Sequence, residues 1–196
     1  MQKQTDLRII RTRQMIREAF FELMESIGFS KITVESLTKK AFINRNTFYL
    51  HYTDKFDLMN QLENEVLDGL KDILKDVPIE VLRVKGFNDD QTISVIYKIY
   101  HYIKENSRFF TLMIRDNGDP AFLFKFGETL KSVIISKNIK DQLKIPQRYL
   151  FAIMTSIITG IIGEWLNSGL KETPEELADM LVMILGDAPK RLYIQQ

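Results

Sequence analysis

The chain has 196 residues, with 27 Lys+Arg against 26 Asp+Glu and no cysteine. That length allows one large domain or two small ones, and an apolar fraction of 45% permits a substantial core. The missing thiols exclude disulfides and thiolate chemistry, and a net charge of +1 says nothing by itself about partners. The first residues show no charged segment leading into an apolar one. No apolar run reads as long enough to span a membrane, so the expectation is a cytoplasmic protein with no membrane partner.

Taken in order, Leu7, Ile10, Gln14, Ile16, Ala19, Phe20, Leu23, Met24 and Ile27 recur near the helical period and predict an amphipathic helix over 6–27. Arg8, Arg11, Arg13 and Arg17 decorate its first half, either as a solvated face or as phosphate contacts. Gly28 suits the position just past the helix end, with Phe29 packing back. Thr33 is a good N-cap for a short helix with Val34, Leu37 and Ala41 on one side and Glu35 in its first turn. Ala41-Phe42-Ile43 reads as a turn, Asn44 as a second N-cap, and Arg45 to His51 as a very short second helix. A helix that short is marginal alone, so Ile43, Phe48 and Tyr52 must anchor it. Its other face carries the donors of Arg45, Asn46, Thr47, Tyr49 and His51, the arrangement of a helix-turn-helix reader. Thr53 is expected to cap a third, long helix through Leu58, Leu62, Val66, Leu70 and Leu74 that stops before Pro78.

Residues 76–89 read as a loop, and helices follow at 90–105 and 107–116. Asn117-Gly118-Asp119-Pro120 is a turn that opens another helix, running to about Leu143. A helix over 147–168 and a last one capped by Thr173-Pro174-Glu175-Glu176 and ending near Leu185 complete an all-α chain. The division expected is 1–53 for a reader domain, 54–75 for a connecting helix and 76–196 for a helical body. Residues 1–55 hold 10 Lys+Arg against 6 Asp+Glu, and the rest 17 against 20, so a basic head sits on a slightly acidic body. Helix 147–168 is apolar nearly all round, from Tyr149, Leu150 and Phe151 to Trp165 and Leu166. Either its cover is wholly intramolecular, or helices 147–168 and 174–185 pair with a second copy as a four-helix bundle. Ser156, Gly160 and Gly163 would admit a close backbone.

The first helix ending in Gly28-Phe29, the Ile32-Thr33-Val34 entry, and Phe48-Tyr49-x-His51-Tyr52 followed by Asp54-Lys55 resemble the N-terminal domain of TetR/AcrR-family transcriptional regulators. The likeness is strong over residues 5 to 65, and the remainder fits by length and helical character. It implies a three-helix helix-turn-helix domain, a helical effector and dimerisation domain, a homodimer on a palindromic double-stranded DNA operator, and no cofactor. The regulator expected is a repressor released by a small-molecule effector. Carried over by residue, Thr33, Asn44, Arg45, Asn46, Thr47, Tyr49, His51 and Lys55 are the expected DNA-binding set. Arg45, Asn46 and Tyr49 suit base or groove contacts, Arg45 on guanine and Asn46 on adenine, while Thr47, Tyr49, His51 and Lys55 suit phosphates. One departure stands out: the turn position often occupied by glycine is Phe42, and a non-glycine residue in a left-handed conformation costs roughly 1 kcal/mol or more. Either the turn bends differently, or packing of the ring offsets the strain.

An effector pocket, if present, would draw on Tyr97, Tyr100, His101, Phe109, Phe110, Met113, Phe122, Phe126 and Met154, though aromatic and Met residues at helical spacing serve equally as core. A protein effector, or an activator in place of a repressor, stays open. So does a dimerisation module that binds no DNA. The enzyme reading is weak: two His, no Cys and no glycine-rich phosphate loop leave no metal-ligand cluster or nucleophile–base pair.

Overall fold

Each helix of the reader segment ends where its capping chemistry dictates. The computed structural model describes residues 7–77, 85–115, 118–119, 121–136 and 144–187. Helix α1 spans Leu7–Ile27, and a 3-10 turn at Phe29–Lys31 leads into α2 (Val34–Lys40). Thr33 and Ser36 cap α2 reciprocally: the Ser36 N–H donates to Thr33 Oγ1 at 3.0 Å and the Thr33 N–H to Ser36 Oγ at 3.0 Å. Helix α3 (Arg45–Tyr49) is shorter than expected, ending before His51. Helix α4 (Lys55–Leu74) is capped by Asp54, whose carboxylate accepts from the N–H groups of Phe56 and Asp57, both at 2.8 Å. The expected cap, Thr53, instead donates its N–H to Asp57 at 2.8 Å, which helps hold that carboxyl below the usual carboxylate range. A carboxylate at the helix start wins because it adds charge to the same donor geometry.

The turn between α2 and α3 resolves the question raised by Phe42. Its φ is 54°, the left-handed region, and its ring is 88% exposed, so packing does not offset the strain. Hydrogen bonds do: the Ile43 N–H donates to Thr38 O at 3.0 Å and the Phe42 N–H to Lys39 O at 3.4 Å, a Schellman closure of α2.

The described helices continue as α5 (Asp90–Glu105), α6 (Ser107–Ile114), α7 (Phe122–Ser136), α8 (Gln147–Asn167) and α9 (Pro174–Leu185). The stretch 137–143, where the sequence extends α7, lies outside the described residues, as does the expected Pro120 start. Two compact units result: Met1–Glu65 with Thr111–Pro120, and Val66–Phe110 with Ala121–Gln196. The division falls inside α4.

In the first unit, α1 contributes Ile16, Phe20 and Met24 to a core with Leu37, Phe48, Tyr52, Leu58 and Leu62. The apolar stripe read from the sequence begins earlier than the core does, since Leu7 and Ile10 are exposed. In the second unit α5 packs on α9 and α7 on α8. Trp165 lies at its centre, 1% exposed, its indole N–H donating to Glu172 O at 3.0 Å and its ring 5.8 Å from that of Tyr100.

Helix α8 corrects one expectation. It is long and apolar enough to cross a membrane, with a mean hydropathy of 1.5 over its best window, and only 29% of that window is buried. Its circumference is apolar because it faces the core of its own unit on one side, through Leu150, Phe151, Ile162, Trp165 and Leu166, and leaves an apolar face uncovered on the other.

Candidate nucleic-acid interface

Helix α3 is held at its N-terminus and along one side. Asn44 Oδ1 accepts from the Thr47 N–H at 2.7 Å and from the Thr47 hydroxyl at 2.9 Å. Phe48 is fully buried, its ring 5.6 Å from that of Tyr52. Burying one such aromatic side chain is worth roughly 1.5–3 kcal/mol, enough to fix a helix of five residues that would not survive alone. The outward face is then Arg45, Asn46, Tyr49 and Leu50, all exposed. Arg45 with Tyr49, and Asn46 with Leu50, stand four residues apart and so share one side.

This geometry sorts the expected contacts. Arg45 and Asn46 present free donor groups, and Tyr49, 52% exposed, adds a ring and a hydroxyl. Thr33 keeps its hydroxyl proton, since its Oγ1 only accepts from Ser36. The Thr47 hydroxyl already donates to Asn44, which leaves it an acceptor for the duplex and no proton. His51 is half-buried, and burial together with the charge of Arg13 holds its imidazole below the ordinary value. The neutral ring is thereby favoured, and a neutral imidazole offers a single N–H. Lys55 is turned inward: its ammonium donates to the carbonyls of Phe29, Ser30 and Ile32 at 3.0, 3.2 and 2.8 Å.

Two of the arginines left open between a solvated face and phosphate contacts are also committed within the unit. Arg13 donates to Gln61 Oε1 at 2.6 Å and to the Tyr52 hydroxyl at 3.4 Å, and Arg17 pairs with Glu65 at 3.3 Å while lying over the Phe21 ring. They brace α1 against α4. Leu50 is the residue that sequence reasoning missed. It is 82% exposed on the reader face, and its i+4 spacing from Asn46 was the available signal.

The expected pocket residues do not converge. Phe109, Phe110, Phe122 and Phe126 pack edge-to-face on one another, with centroids 5.3–6.2 Å apart, and each is at most 1% exposed. Tyr97 and His101 face α9 at the surface, the Tyr97 hydroxyl donating to Asp179 at 3.1 Å and His101 Nε2 lying 2.6 Å from Glu175. Tyr100 is buried against Trp165. Met113 is buried and groups with the first unit, and the Met154 side chain lies outside the described residues.

Two capped helices joined by a Schellman turn, the second braced and donor-studded, define a helix-turn-helix regulator of the all-helical class. Residues 90–187 match the family model for the TetR-type transcriptional regulator C-terminal region. The chain is 37% identical over 179 residues to the HTH-type transcriptional regulator YxbF of Bacillus subtilis (strain 168), covering 91% of this chain and 45% of that protein. It thus spans about half the length of that curated relative. Among solved structures, the TetR transcriptional regulator from Streptococcus agalactiae 2603V is 25% identical, with 91% and 96% of the two chains covered and a TM-score of 0.63. NalD, the secondary repressor of the MexAB-OprM multidrug efflux pump in Pseudomonas aeruginosa, has the same fold at 19% identity, with 96% and 98% covered and a TM-score of 0.64. The chain belongs to the TetR family of transcriptional regulators.

Proposed function

We propose that the protein is a homodimeric repressor in which each copy places α3 in the major groove of a palindromic operator. The observation that carries this is the outward face of α3: a guanidinium, a carboxamide, a phenol and a leucine, held rigid by Phe48 and Asn44. Arginine forks onto guanine O6/N7 and asparagine onto adenine N6/N7, so Arg45 and Asn46 have the chemistry of base readers. Thr33 and Tyr49 would set register on phosphates. Half-sites one helical turn apart, ~34–36 Å, suit a two-fold pair.

The uncovered face of α8 and α9 supports the pairing. Tyr149 and Ile153 are each 54% exposed, Met183 79% and Ile184 67%. A Cβ built at Gly160 or Gly163 meets nothing within 4 Å, so a second backbone has room to approach. Ile153→Glu with Ile184→Glu should leave a folded monomer by sedimentation. An unchanged dimer would remove this face from the interface.

For the effector, the packed phenylalanine cluster favours a protein partner over a small ligand at that position, because its rings already fill one another's space. An effector acts only by its differential affinity for two states of the regulator. The experiment that tests the whole reading is enrichment of duplex from a random pool by the purified protein. A palindromic sequence whose binding weakens steeply with salt is expected. Recovery of no consensus would overturn it.

A further inference from the structure

Lys55 stands in the first turn of α4, where the positive end of the helix dipole disfavours a cation. The structure accounts for it. The ammonium has three N–H donors, and three backbone carbonyls receive them: Phe29 at 3.0 Å, Ser30 at 3.2 Å and Ile32 at 2.8 Å. The aromatic rings of Phe29 and Phe56 add their faces, with centroids 4.7 and 5.4 Å from Nζ and 5.3 Å from each other. The carbonyls belong to the 3-10 turn Phe29–Lys31 and the residue after it, and Thr33, the N-cap of α2, follows at once. The side chain therefore joins the start of α4 to the connector that launches α2.

We infer that Lys55 is a positioning residue of the DNA-binding unit and not a phosphate ligand. Its charge neutralises the carbonyl end of the connector, and through it the direction in which α2 leaves Thr33 is fixed. Helix α3 packs on α2, so the reader face inherits that direction. To reach a phosphate the ammonium would have to leave all three carbonyls, each of which would then lose a charge-assisted partner. This rests on the DNA-binding reading for its consequence, while the carbonyl site itself stands on the free protein.

The test has two arms. In the first, the free wild-type protein is acetylated under limiting reagent and labelling is read by mass spectrometry. Lys55 should label far more slowly than the exposed Lys31 and Lys39, and adding the duplex enriched by the wild type should leave its rate unchanged. Rapid labelling of free Lys55, suppressed only on the duplex, would overturn the inference. In the second, Lys55→Met keeps the stem between the two rings and removes the charge. Affinity for the same duplex should fall roughly tenfold. The slope of log K against log salt should stay as in the wild type, because a lost phosphate contact lowers it by about 0.9 and a lost brace does not. A slope reduced by that amount would refute the assignment. Should the variant fail to fold, the acetylation arm decides alone. Should the wild type bind no duplex, the DNA-binding reading fails, and the free-protein rate still tests the carbonyl site.

Discussion

The hydroxyl of Tyr102 donates to the carbonyl oxygen of Val66 at 2.9 Å, so a residue of α5 bonds into the backbone of α4. Gly69 makes this possible. A Cβ there would fall 2.7 Å from Tyr102 Cζ, well inside contact distance. Replacing glycine by alanine inside a helix ordinarily stabilises it by about 1 kcal/mol. Here the sign should reverse: Gly69→Ala is expected to cost about 1–3 kcal/mol in denaturant unfolding. Adding Tyr102→Ala should restore part of the normal gain, and strict additivity of the two changes would refute the coupling.

Phe42 invites the opposite substitution. Its backbone is left-handed and its ring touches little, so Phe42→Gly removes strain while sacrificing almost no packing. Unfolding should show a net gain of roughly 0.5–1 kcal/mol, the backbone relief exceeding the entropy that glycine adds to the unfolded chain. A loss of stability would mean that the ring carries a contact of its own.

Burial holds the Tyr100 phenol up at about 12, against an ordinary value of 10.0. The unfolded chain therefore releases this proton first as pH rises. Stability from this group is complete below about pH 10 and is lost as pH climbs through about 12, an effect on the order of 2–3 kcal/mol. Unfolding midpoints measured on either side of that window should separate more in the wild type than in Tyr100→Phe. Equal alkaline losses in the two would place the titration elsewhere.

Leu50 should read methyl groups. An apolar side chain on a reader face has one partner in the major groove, the thymine C5-methyl. On the enriched operator, replacing thymidines with deoxyuridines should weaken wild-type binding by about 1 kcal/mol per contacted base. Leu50→Ala should bind both duplexes alike. If that variant keeps the full difference, the methyl is read by another residue.

Much of the fold was legible because capping is local chemistry. Thr33, Asn44 and the Thr173–Glu176 box announce their helices within a few residues, and Gly and Pro mark the breaks. Periodicity found α1 but overstated its core, since Leu7 and Ile10 keep the helical spacing without a partner to cover them. The site divided along the same line. Exposure of Arg45, Asn46 and Tyr49 follows from α3 alone, because Phe48 fixes which side faces in. The inward turn of Lys55, and the surface pairing of Arg13 and Arg17 with α4, depend on acceptors 23 to 48 residues distant in sequence, which spacing does not encode. The aromatic set of the body was equally opaque: a list of phenylalanines does not distinguish rings that surround a space from rings that fill it.

Because the inward Phe48 ring and the Asn44 cap secure α3, Arg45, Asn46 and Leu50 carry little of the scaffold's stability, while Tyr49 also lays its ring edge-on to Phe48, 5.7 Å away. Target choice and foldedness are thus written largely in different residues. New half-sites can be sought by rewriting 45, 46 and 50 while the rest of the chain is left alone.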